Sequence, residues 1–323
     1  MTHALHVWTS HHHPVPLPPG HRFPVGKHVP LLARLLAEDL VRPGHVHLAE
    51  PAPVAWLSLA HDPAYVTRVI ADGLAPAEER RFGLPWSPEL AVRARAAVCG
   101  TVRASFAALE HGVAGNLAGG SHHAFRDRAE AFCLFNDVAV AIAVLRAHGL
   151  ARRPFVADLD VHQGNGTAGM FADDPTVFTF SMHAGSNYPL RKERGSLDVP
   201  LADRSSDAAY LDALETHLPA ALAGHAPDIV FYQAGVDALA GDRLGRLALT
   251  HAGLAARDAR VFALCEMPLV PVVVTLGGGY SDPLDASIEA HVGVWRAARA
   301  ARDRRPLSTG PAIAHLGDAL PTA

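Results

Sequence analysis

Apolar runs alternate with stretches of helical periodicity through the second half of the chain. Continuous apolar runs are typical of strands buried on both faces, whereas a 3.6-residue apolar period is typical of a surface helix. The pattern predicts strands at 155–158, 177–182, 228–233 and 270–276, with helices at 206–223, 250–264 and 286–300. This alternation predicts an α/β fold with three α/β/α layers around a mostly parallel central sheet.

The first half of the chain is less regular. The pattern predicts strands at 4–8 and 46–48, helices at 31–41, 63–71, 89–111 and 136–147, and loops at 14–24, 75–88 and 115–124. No internal repeat or linker divides the chain, so we predict one domain over residues 1–302. Residues 303–323 are rich in Pro, Gly and Ala and are predicted to form a tail.

Three polar residues follow the apolar run that begins at Phe155. Asp158, Asp160 and His162 are separated by one residue each, so in extended backbone they project from the same side. Solvated acids beside an unrelated histidine are the simpler interpretation. Clustered charge is costly unless it is paired or metal-bound, however, so we interpret the stretch as half of a metal site.

Polar residues also follow the ends of two other predicted strands. Asp237 follows the strand at 228–233, and Tyr280 follows the strand at 270–276 after three glycines. Ligands of open α/β sheets bind beyond the carboxyl ends of the strands, so Asp237 can supply a third ligand beside Asp160 and His162. Alone, Asp237 would be taken for a turn or helix-capping acid. Three ligands with an open fourth position form the usual catalytic zinc site.

The consecutive histidines His122 and His123 follow a glycine pair. Two carboxylates largely neutralise a zinc ion, so a bound water would be less acidic and would need a general base such as histidine. Tyr280 has the chemistry to donate to a developing oxyanion. Solvated histidines, an ordinary sheet-edge tyrosine and a phosphate loop are the alternatives. Neither glycine-rich segment has the Lys-Ser/Thr of a P-loop.

Composition excludes several classes of partner. The chain has 323 residues, is 49% hydrophobic and carries a net charge of −4, so nothing in its charge favours nucleic acid or an anionic membrane. No apolar run approaches a membrane span, and the N-terminus lacks the pattern of a secretory signal. Cys99, Cys133 and Cys265 are far apart and are expected to be reduced thiols of a cytoplasmic protein. The oligomeric state stays open.

Five ordered motifs resemble the zinc-dependent histone deacetylase superfamily, which has the arginase/deacetylase fold. They are Gly-Gly-Ser-His-His-Ala at 119–124, Phe-Cys-Leu-Phe-Asn-Asp at 132–137, Asp-Leu-Asp-Val-His-Gln-Gly-Asn-Gly at 158–166, Ala-Gly-Val-Asp-Ala-Leu-Ala-Gly-Asp at 234–242 and Leu-Gly-Gly-Gly-Tyr at 276–280. Similarity extends from about residue 4 to residue 300. The His-Gln-Gly-Asn-Gly segment and residues 241–245 resemble the class IV branch and its bacterial relatives.

The resemblance implies a role for each matching residue. The zinc ligands are Asp160, His162 and Asp237, and the catalytic residues are His122, His123, Tyr280, Asp158 and Asn165. His123 is the implied general base and later acid, Tyr280 polarises the scissile carbonyl, and Asp158 lies behind His122. A structural potassium site is implied at Asp158, Ser181 and Met182. The implied substrate residues are Ala131, Phe132, Tyr188 and Gly278, with Phe132 and Tyr188 as tunnel walls.

The chain departs from the family pattern at three places. Ala131 stands where the family usually has a glycine whose carbonyl accepts the substrate amide N–H, and alanine keeps that carbonyl. Asn165 replaces an aspartate that backs the second histidine in many members, so the base is expected to be weaker or to have a lower pKa. Residues 82–88 lack the aspartate that grips the peptide backbone in class I members.

The resemblance implies hydrolysis of an N-acylated amine, most simply acetyl-lysine, by one catalytic zinc ion. A small acylated amine, as in acetylpolyamine amidohydrolases, is the alternative substrate, and acyl length stays open, as does iron in place of zinc. An arginase-like ureohydrolase with two Mn²⁺ ions is a further alternative, but residues 237–242 lack its Asp-x-Asp. The last alternative is an inactive acyl-lysine-binding module, which the presence of His123 and Tyr280 disfavours.

Overall fold

One parallel sheet forms the centre of the molecule. The computed structural model describes residues 5–18, 20–266 and 269–305, and within these ranges the sheet has eight strands, all paired in parallel, in the order β2-β1-β3-β8-β7-β4-β5-β6. The strands are β1 His6–Thr9, β2 Val46–Leu48, β3 Val113–Asn116, β4 Pro154–Asp158, β5 Phe178–Ala184, β6 Leu197–Leu201, β7 Ile229–Gln233 and β8 Val272–Thr275. The predicted α/β class with a parallel central sheet is confirmed.

Ten α-helices of the described ranges cover the two faces of the sheet. They are α1 His28–Ala37, α2 Val54–Ala60, α3 Pro63–Ala71, α4 Pro76–Phe82, α5 Pro88–His111, α6 Asp137–Ala147, α7 Asn165–Met170, α8 Asp207–His225, α9 His251–Glu266 and α10 Asp285–Arg304. None of the described helices combines the length and apolar character needed to cross a membrane. The predicted tail lies outside the described residues from residue 306 onward.

The two faces of the sheet bury separate apolar cores. Along β7, Val230 and Tyr232 pack into the core of α1, α8, α9 and α10, whereas Ile229 and Phe231 pack into the core of α2, α3, α5 and α6. Neighbouring strand residues alternate between faces, which is why this strand is apolar throughout. Each such large side chain contributes about 1.5–3 kcal/mol through burial. These cores make the sheet a rigid platform for its terminal loops.

Most predicted elements are found within a few residues of their expected ends, but several were missed. The predicted loop at 75–88 contains α4, which begins at Pro76 and ends at Phe82, where Gly83 follows with a φ of 82°. The Ala75 N–H donates to Glu78 Oε2 over 2.8 Å, so the first turn of α4 is capped by its own glutamate. The strands β3 and β6 and the short helices α2 and α7 were also not predicted.

The carboxyl ends of four neighbouring strands meet at one edge of the sheet. Asp158, the last residue of β4, pairs with Gln233 of β7, which in turn pairs with Thr275 of β8, and Thr275 pairs with Asn116 of β3. The loops that follow these strands begin at residues 117, 159, 234 and 276. Asp158 ends β4 and Asn165 begins α7, whereas the other sequence-predicted catalytic residues and the three predicted zinc ligands all lie in these loops.

Candidate active site

Two carboxylates and an imidazole converge beyond the ends of β4 and β7. Asp160, His162 and Asp237 are all buried, and one ligand atom of each lies within 4.8 Å of the other two. His162 Nδ1 lies 3.1 Å from Asp160 Oδ1 and 3.1 Å from Asp237 Oδ2. The structure thus brings together the three residues that the sequence predicted as a metal site.

Backbone N–H groups hold the two carboxylates in place. The Gly278 N–H donates to Asp160 Oδ2 over 2.7 Å, and the Val161 N–H donates to Asp237 Oδ1 over 2.9 Å. A side chain at Gly278 would be excluded, because a Cβ there would lie 1.8 Å from Asp237 Oδ2. Gly278, predicted as a substrate residue, therefore holds Asp160 through its backbone N–H and leaves the space that Asp237 occupies.

The donor set suits a divalent cation. Burial raises the pKa of Asp237 to about 7, with the neighbouring Asp160 carboxylate adding to the effect. Burial alone would lower the pKa of His162, but its hydrogen bonds to Asp160 and Asp237 raise it to about 10. Two adjacent buried carboxylates thus require a compensating positive charge. Two carboxylate oxygens and one imidazole nitrogen are ligands that zinc accepts, with a fourth position left for water or substrate.

The tandem histidines lie beside this triad in opposite electrostatic settings. His122 Nδ1 lies 2.7 Å from Asp158 Oδ2, whereas His123 Nδ1 lies 2.6 Å from Asn165 Oδ1. Burial opposes protonation of His122, but the carboxylates of Asp158 and Asp160 outweigh it and raise its pKa to about 9. Burial, with His122 and His162 nearby, holds the pKa of His123 well below its usual range. His122 is therefore cationic and His123 neutral at pH 7.

Neutral His123 has a defined tautomer. An Nδ1–H that donates to Asn165 Oδ1 leaves Nε2 without a proton and able to accept one. Burial, followed by His122 and His162, lowers the pKa of His123, whereas the hydrogen bond to Asn165 opposes this and raises it. This arrangement can perform general-base chemistry at neutral pH.

Glu130 is a site residue that no sequence motif indicated. Its Oε1 accepts from Asn165 Nδ2 over 2.8 Å and from the Tyr188 hydroxyl over 2.5 Å, and its Oε2 lies 3.5 Å from Arg128 Nε. Glu130 is buried despite its charge, and a buried acid is itself a functional signal. No spacing rule could have found it, because its partners lie 35 and 58 residues away.

A cavity of about 670 Å³ opens above the metal triad. Phe132 and Tyr188, the predicted tunnel walls, both line it, as does Ala131. Ala131 has a φ of 43° and Phe132 a φ of 68°, which is the left-handed region where glycine is favoured. The Ala131 N–H donates to the Arg81 carbonyl over 3.1 Å. This hydrogen bond helps to hold alanine where the family usually has glycine.

Tyr280 lines the same cavity as the tandem histidines. Its backbone N–H donates to Asp242 Oδ2 over 2.6 Å, and its ring centroid lies 6.4 Å from that of Phe132. Within residues 5–18, 20–266 and 269–305, its hydroxyl has no hydrogen-bond partner. Burial, reinforced by Asp237 and Asp160, raises the pKa of Tyr280 well above 10. The phenol therefore stays protonated and can donate to a bound molecule.

Lys27 is a second site residue that no sequence motif indicated. It lines the cavity, is buried, and donates from Nζ to the Gly277 carbonyl over 2.8 Å. Burial lowers its pKa to about 8, against the opposing effect of Asp237 and Asp160. Its ammonium lies 5.8 Å from the Tyr280 ring centroid. A positive charge is thus held beside Tyr280 and the carboxylates at neutral pH.

The predicted potassium site lies on the other side of Asp158. Asp158 and Ser181 pair across β4 and β5 and line a small cavity of about 10 Å³ together with Thr179 and Asp198. Met182 is buried but is not part of that lining. The potassium assignment stays a prediction.

Comparisons with known proteins agree with this architecture. The histone deacetylase domain model matches residues 21–295. An uncharacterized protein of Picosynechococcus sp. is 45% identical over 284 residues, which cover 88% of this chain and 95% of its own. The structure of a histone deacetylase homologue complexed with SAHA has 25% identity and a TM-score of 0.80, covering 92% of this chain and 84% of its own.

Named curated relatives match over shorter stretches. Histone deacetylase 2 of Arabidopsis thaliana is 34% identical over 189 residues, which cover 58% of this chain and 49% of its own. Acetoin utilization protein AcuC of Bacillus subtilis is 34% identical over 216 residues, which cover 60% of this chain and 56% of its own. The chain thus spans about half the length of these two relatives. Because the domain model covers most of the sequence, the chain belongs to the histone deacetylase domain family.

Proposed function

We propose that the chain is a zinc-dependent deacylase that hydrolyses the amide bond of an N-acyl-lysine or a related acylated amine. One observation carries the proposal. Asp160 and His162 of the metal triad, the neutral His123 and Tyr280 all line one cavity, and Asp237 lies buried beside Asp160 and His162. Among the described residues, the Tyr280 hydroxyl has no hydrogen-bond partner. These are the parts that metal-assisted amide hydrolysis requires.

The residues divide the reaction between them. Zinc, held by Asp160, His162 and Asp237, would act as a Lewis acid and lower the pKa of a bound water. His123 Nε2 accepts the proton of the attacking water and later donates it to the leaving amine. The Tyr280 hydroxyl donates to the carbonyl oxygen as that oxygen becomes negative. His122, held cationic by Asp158, adds positive charge where the oxyanion develops.

The cavity orients the substrate before reaction. Phe132 and Tyr188 present aromatic faces that suit the aliphatic stem of an acylated lysine. The backbone carbonyl of Ala131 is available to accept the amide N–H of the substrate. The His-Gln-Gly-Asn-Gly segment at 162–166 supports assignment to the class IV branch as part of this proposal.

A dinuclear ureohydrolase fits less well. In the described part of the chain, the converging His, Cys, Asp and Glu side chains form one group of three. Asp242, the acid that could extend it, already accepts from the backbone N–H groups of Leu244, Gly245 and Tyr280. One metal ion per chain is therefore expected, and two would favour the ureohydrolase.

The test joins metal content to turnover. The purified chain should hold one zinc ion and release amine from a fluorogenic acetyl-lysine peptide. The single variants Asp160→Ala, His162→Ala and Asp237→Ala should lose both properties. A panel that crosses acyl length with peptide and polyamine carriers then defines the substrate. A zinc-loaded chain that binds acyl-lysine without hydrolysing it would instead indicate a binding module.

A further inference from the structure

The mouth of the cavity is ringed by exposed arginines. Arg80 and Arg81 come from α4, Arg243 and Arg246 come from the segment after β7, and the Arg22 guanidinium lies 5.3 Å from the Phe132 ring centroid. All five are exposed. Because they come from three separate segments, positive charge surrounds the entrance on several sides.

Within the described ranges, nearby acids offset this charge only weakly. Asp160 is the one acidic residue among those that line the cavity, and it belongs to the metal triad below. Arg243 lies 3.8 Å from Asp282, and Arg246 lies 3.6 Å from Asp203, but exposed pairs of this kind interact weakly. Arg80 and Arg81 have no ion-pair partner in the described part of the chain.

We propose that the natural substrate is an acidic peptide, in which carboxylates flank the acylated lysine. This inference rests on the proposed function, because it takes the acyl group into the same cavity. Guanidinium groups bind carboxylates with two parallel hydrogen bonds, and a ring of like charge also attracts an anionic ligand from solution. The same ring repels a cationic polyamine, which makes that alternative carrier the unfavourable one.

Three peptides of equal length test the charge preference. Each carries acetyl-lysine flanked by glutamate, glutamine or lysine, and kcat/KM should fall in that order. The double variant Arg80→Gln/Arg81→Gln should lower kcat/KM for the glutamate peptide about 3- to 10-fold more than for the glutamine peptide. The matched control is Arg152→Gln, because exposed Arg152 precedes β4 at the opposite edge of the sheet. It should leave the order and the ratios unchanged.

Binding without turnover separates this inference from the proposed function. Calorimetric titration of the same peptides into Tyr280→Phe reports the charge preference even if no peptide is hydrolysed. Failure of the parent chain to hydrolyse any peptide would reject the proposed function, whereas tighter binding of the glutamate peptide would still support the acidic substrate. Equal or tighter binding of the lysine peptide would overturn it, as would an equal effect of the double variant on all three peptides.

A second inference concerns Glu130 and rests on different contacts. Family resemblance expects an aspartate at position 165, and the chain has an amide there. In this chain the carboxylate is that of Glu130, which reaches His123 through Asn165, because Asn165 Nδ2 donates to Glu130 Oε1 over 2.8 Å. Because a carboxylate can only accept, Asn165 must turn its NH₂ group toward Glu130 and its oxygen toward His123.

We infer that Glu130 is a positioning residue that sets the tautomer of His123. With the Asn165 oxygen facing Nδ1, the ring proton stays on Nδ1 and Nε2 remains the base. Without Glu130 the amide can rotate and donate to Nδ1, which places the ring proton on Nε2 and blocks general-base chemistry. Glu130 also accepts from the Tyr188 hydroxyl, so one carboxylate links the cavity wall to the base.

A swap of the acid and the amide tests this inference. Glu130→Ala should lower kcat about 10- to 100-fold, at or below the lower end of the roughly 10²–10⁴-fold contribution of a general base, because His123 itself remains. Glu130→Gln should restore most of that loss, because its amide oxygen can accept from Asn165. Asn165→Asp alone sets a second carboxylate about 2.8 Å from Glu130 and should lower Tm. The double variant Glu130→Gln/Asn165→Asp should recover both Tm and kcat, since the introduced amide can donate to the introduced carboxylate.

Tyr188→Phe is the matched control, because it removes the other hydrogen bond to Glu130 and should change KM more than kcat. The inference also depends on the proposed function, but the Tm values need no turnover. A parent chain without activity would reject the proposed function. The Tm values of the single and double variants would still show whether residues 130 and 165 interact. The inference is overturned if the double variant is no more stable than Asn165→Asp, or if Glu130→Ala keeps the parental kcat.

Discussion

Replacing Tyr280 with phenylalanine removes one hydroxyl and nothing else that the resting protein uses. Among the described residues that hydroxyl has no partner, so the substitution leaves no buried group unsatisfied. The Asp242 carboxylate holds the backbone at position 280 and remains in place. The free energy of unfolding should therefore change by no more than about 0.5 kcal/mol.

The cost should appear in the transition state. A preorganised donor aimed at a developing oxyanion is worth roughly 10²–10³ in kcat, or about 2.7–4 kcal/mol. Because the pKa of Tyr280 lies well above 10, the phenol is protonated across the working range and the loss should be nearly independent of pH. Tyr280→Phe should thus lose kcat while keeping its zinc content and its affinity for the acyl peptide.

Three measurements on one preparation decide this prediction. Zinc content by elemental analysis and Tm by calorimetry should match the parent, and steady-state kinetics should give the roughly 10²–10³-fold loss in kcat. Phe132→Tyr serves as a control for altered aromatic packing at the same cavity. A kcat within about threefold of the parent would refute the donor role of Tyr280. If the loss of kcat is matched by a loss of zinc, Tyr280 would instead be a residue that stabilises the metal site.

Four other outcomes are expected. Asp237→Ala should abolish stoichiometric zinc binding, and full retention of zinc would remove it from the ligand set. Phe132→Ala should raise KM and weaken discrimination among acyl-lysine analogues, whereas unchanged kinetics would locate the tunnel elsewhere. His123→Ala should keep zinc and lose about 10²–10⁴ in kcat. It should also flatten the limb of the pH–rate profile that reports the general base, and an unchanged limb would indicate that a different residue is the base. Burial lowers the pKa of His61 in the folded protein to about 4, below its unfolded value of about 6.5, so the free energy of unfolding should fall by up to about 1.4 kcal/mol per pH unit as the pH drops from about 6.5 to about 4. Urea unfolding of His61→Gln should show a smaller decrease over the same pH range, and equal decreases for both proteins would contradict this prediction.

The fold was predictable where the core is strongest. Strands β4, β5, β7 and β8 contain long apolar runs because helices cover both of their faces, so local sequence and tertiary burial agree. Strand β3 was missed because Val-Ala-Gly-Asn carries little apolar volume. Its glycine is required by packing, since a Cβ at Gly115 would lie 2.7 Å from the Trp295 ring. That contact joins residues far apart in the sequence and leaves no local signal.

Two other elements, β6 at the edge of the sheet and the helix α4, were also not predicted from the sequence pattern. Within the described residues, strand β6 pairs with β5 alone. It contains Pro200 and fully buries only Val199, so its sequence resembles a loop. Helix α4 was missed because its composition is polar, although Pro76, Glu78 and Gly83 are ordinary start and stop signals. These errors mattered for function, because α4 carries Arg80 and Arg81 to the cavity mouth.

The site itself was predictable to the extent that its residues share a strand end. Asp160 and His162 are two residues apart, and β4 alone brings them to one edge. Glu130 and Lys27 are different, because each acts through a partner distant in sequence and neither belongs to a metal or nucleophile motif. Their participation follows from burial of charge, which only the folded chain reveals.

The tandem histidines show how the same residue type acquires two roles. His122 and His123 are adjacent and equally buried, so neither sequence position nor desolvation distinguishes them. The distinction comes from what faces each Nδ1, which is the Asp158 carboxylate for His122 and the Asn165 amide for His123. A carboxylate stabilises imidazolium and an amide does so far less, so the two pKa values move apart, to about 9 for His122 and below the usual range for His123. Once His122 is charged it further disfavours a proton on His123. The neutral base is thus fixed by the pair together, and Asn165 contributes to it by being uncharged.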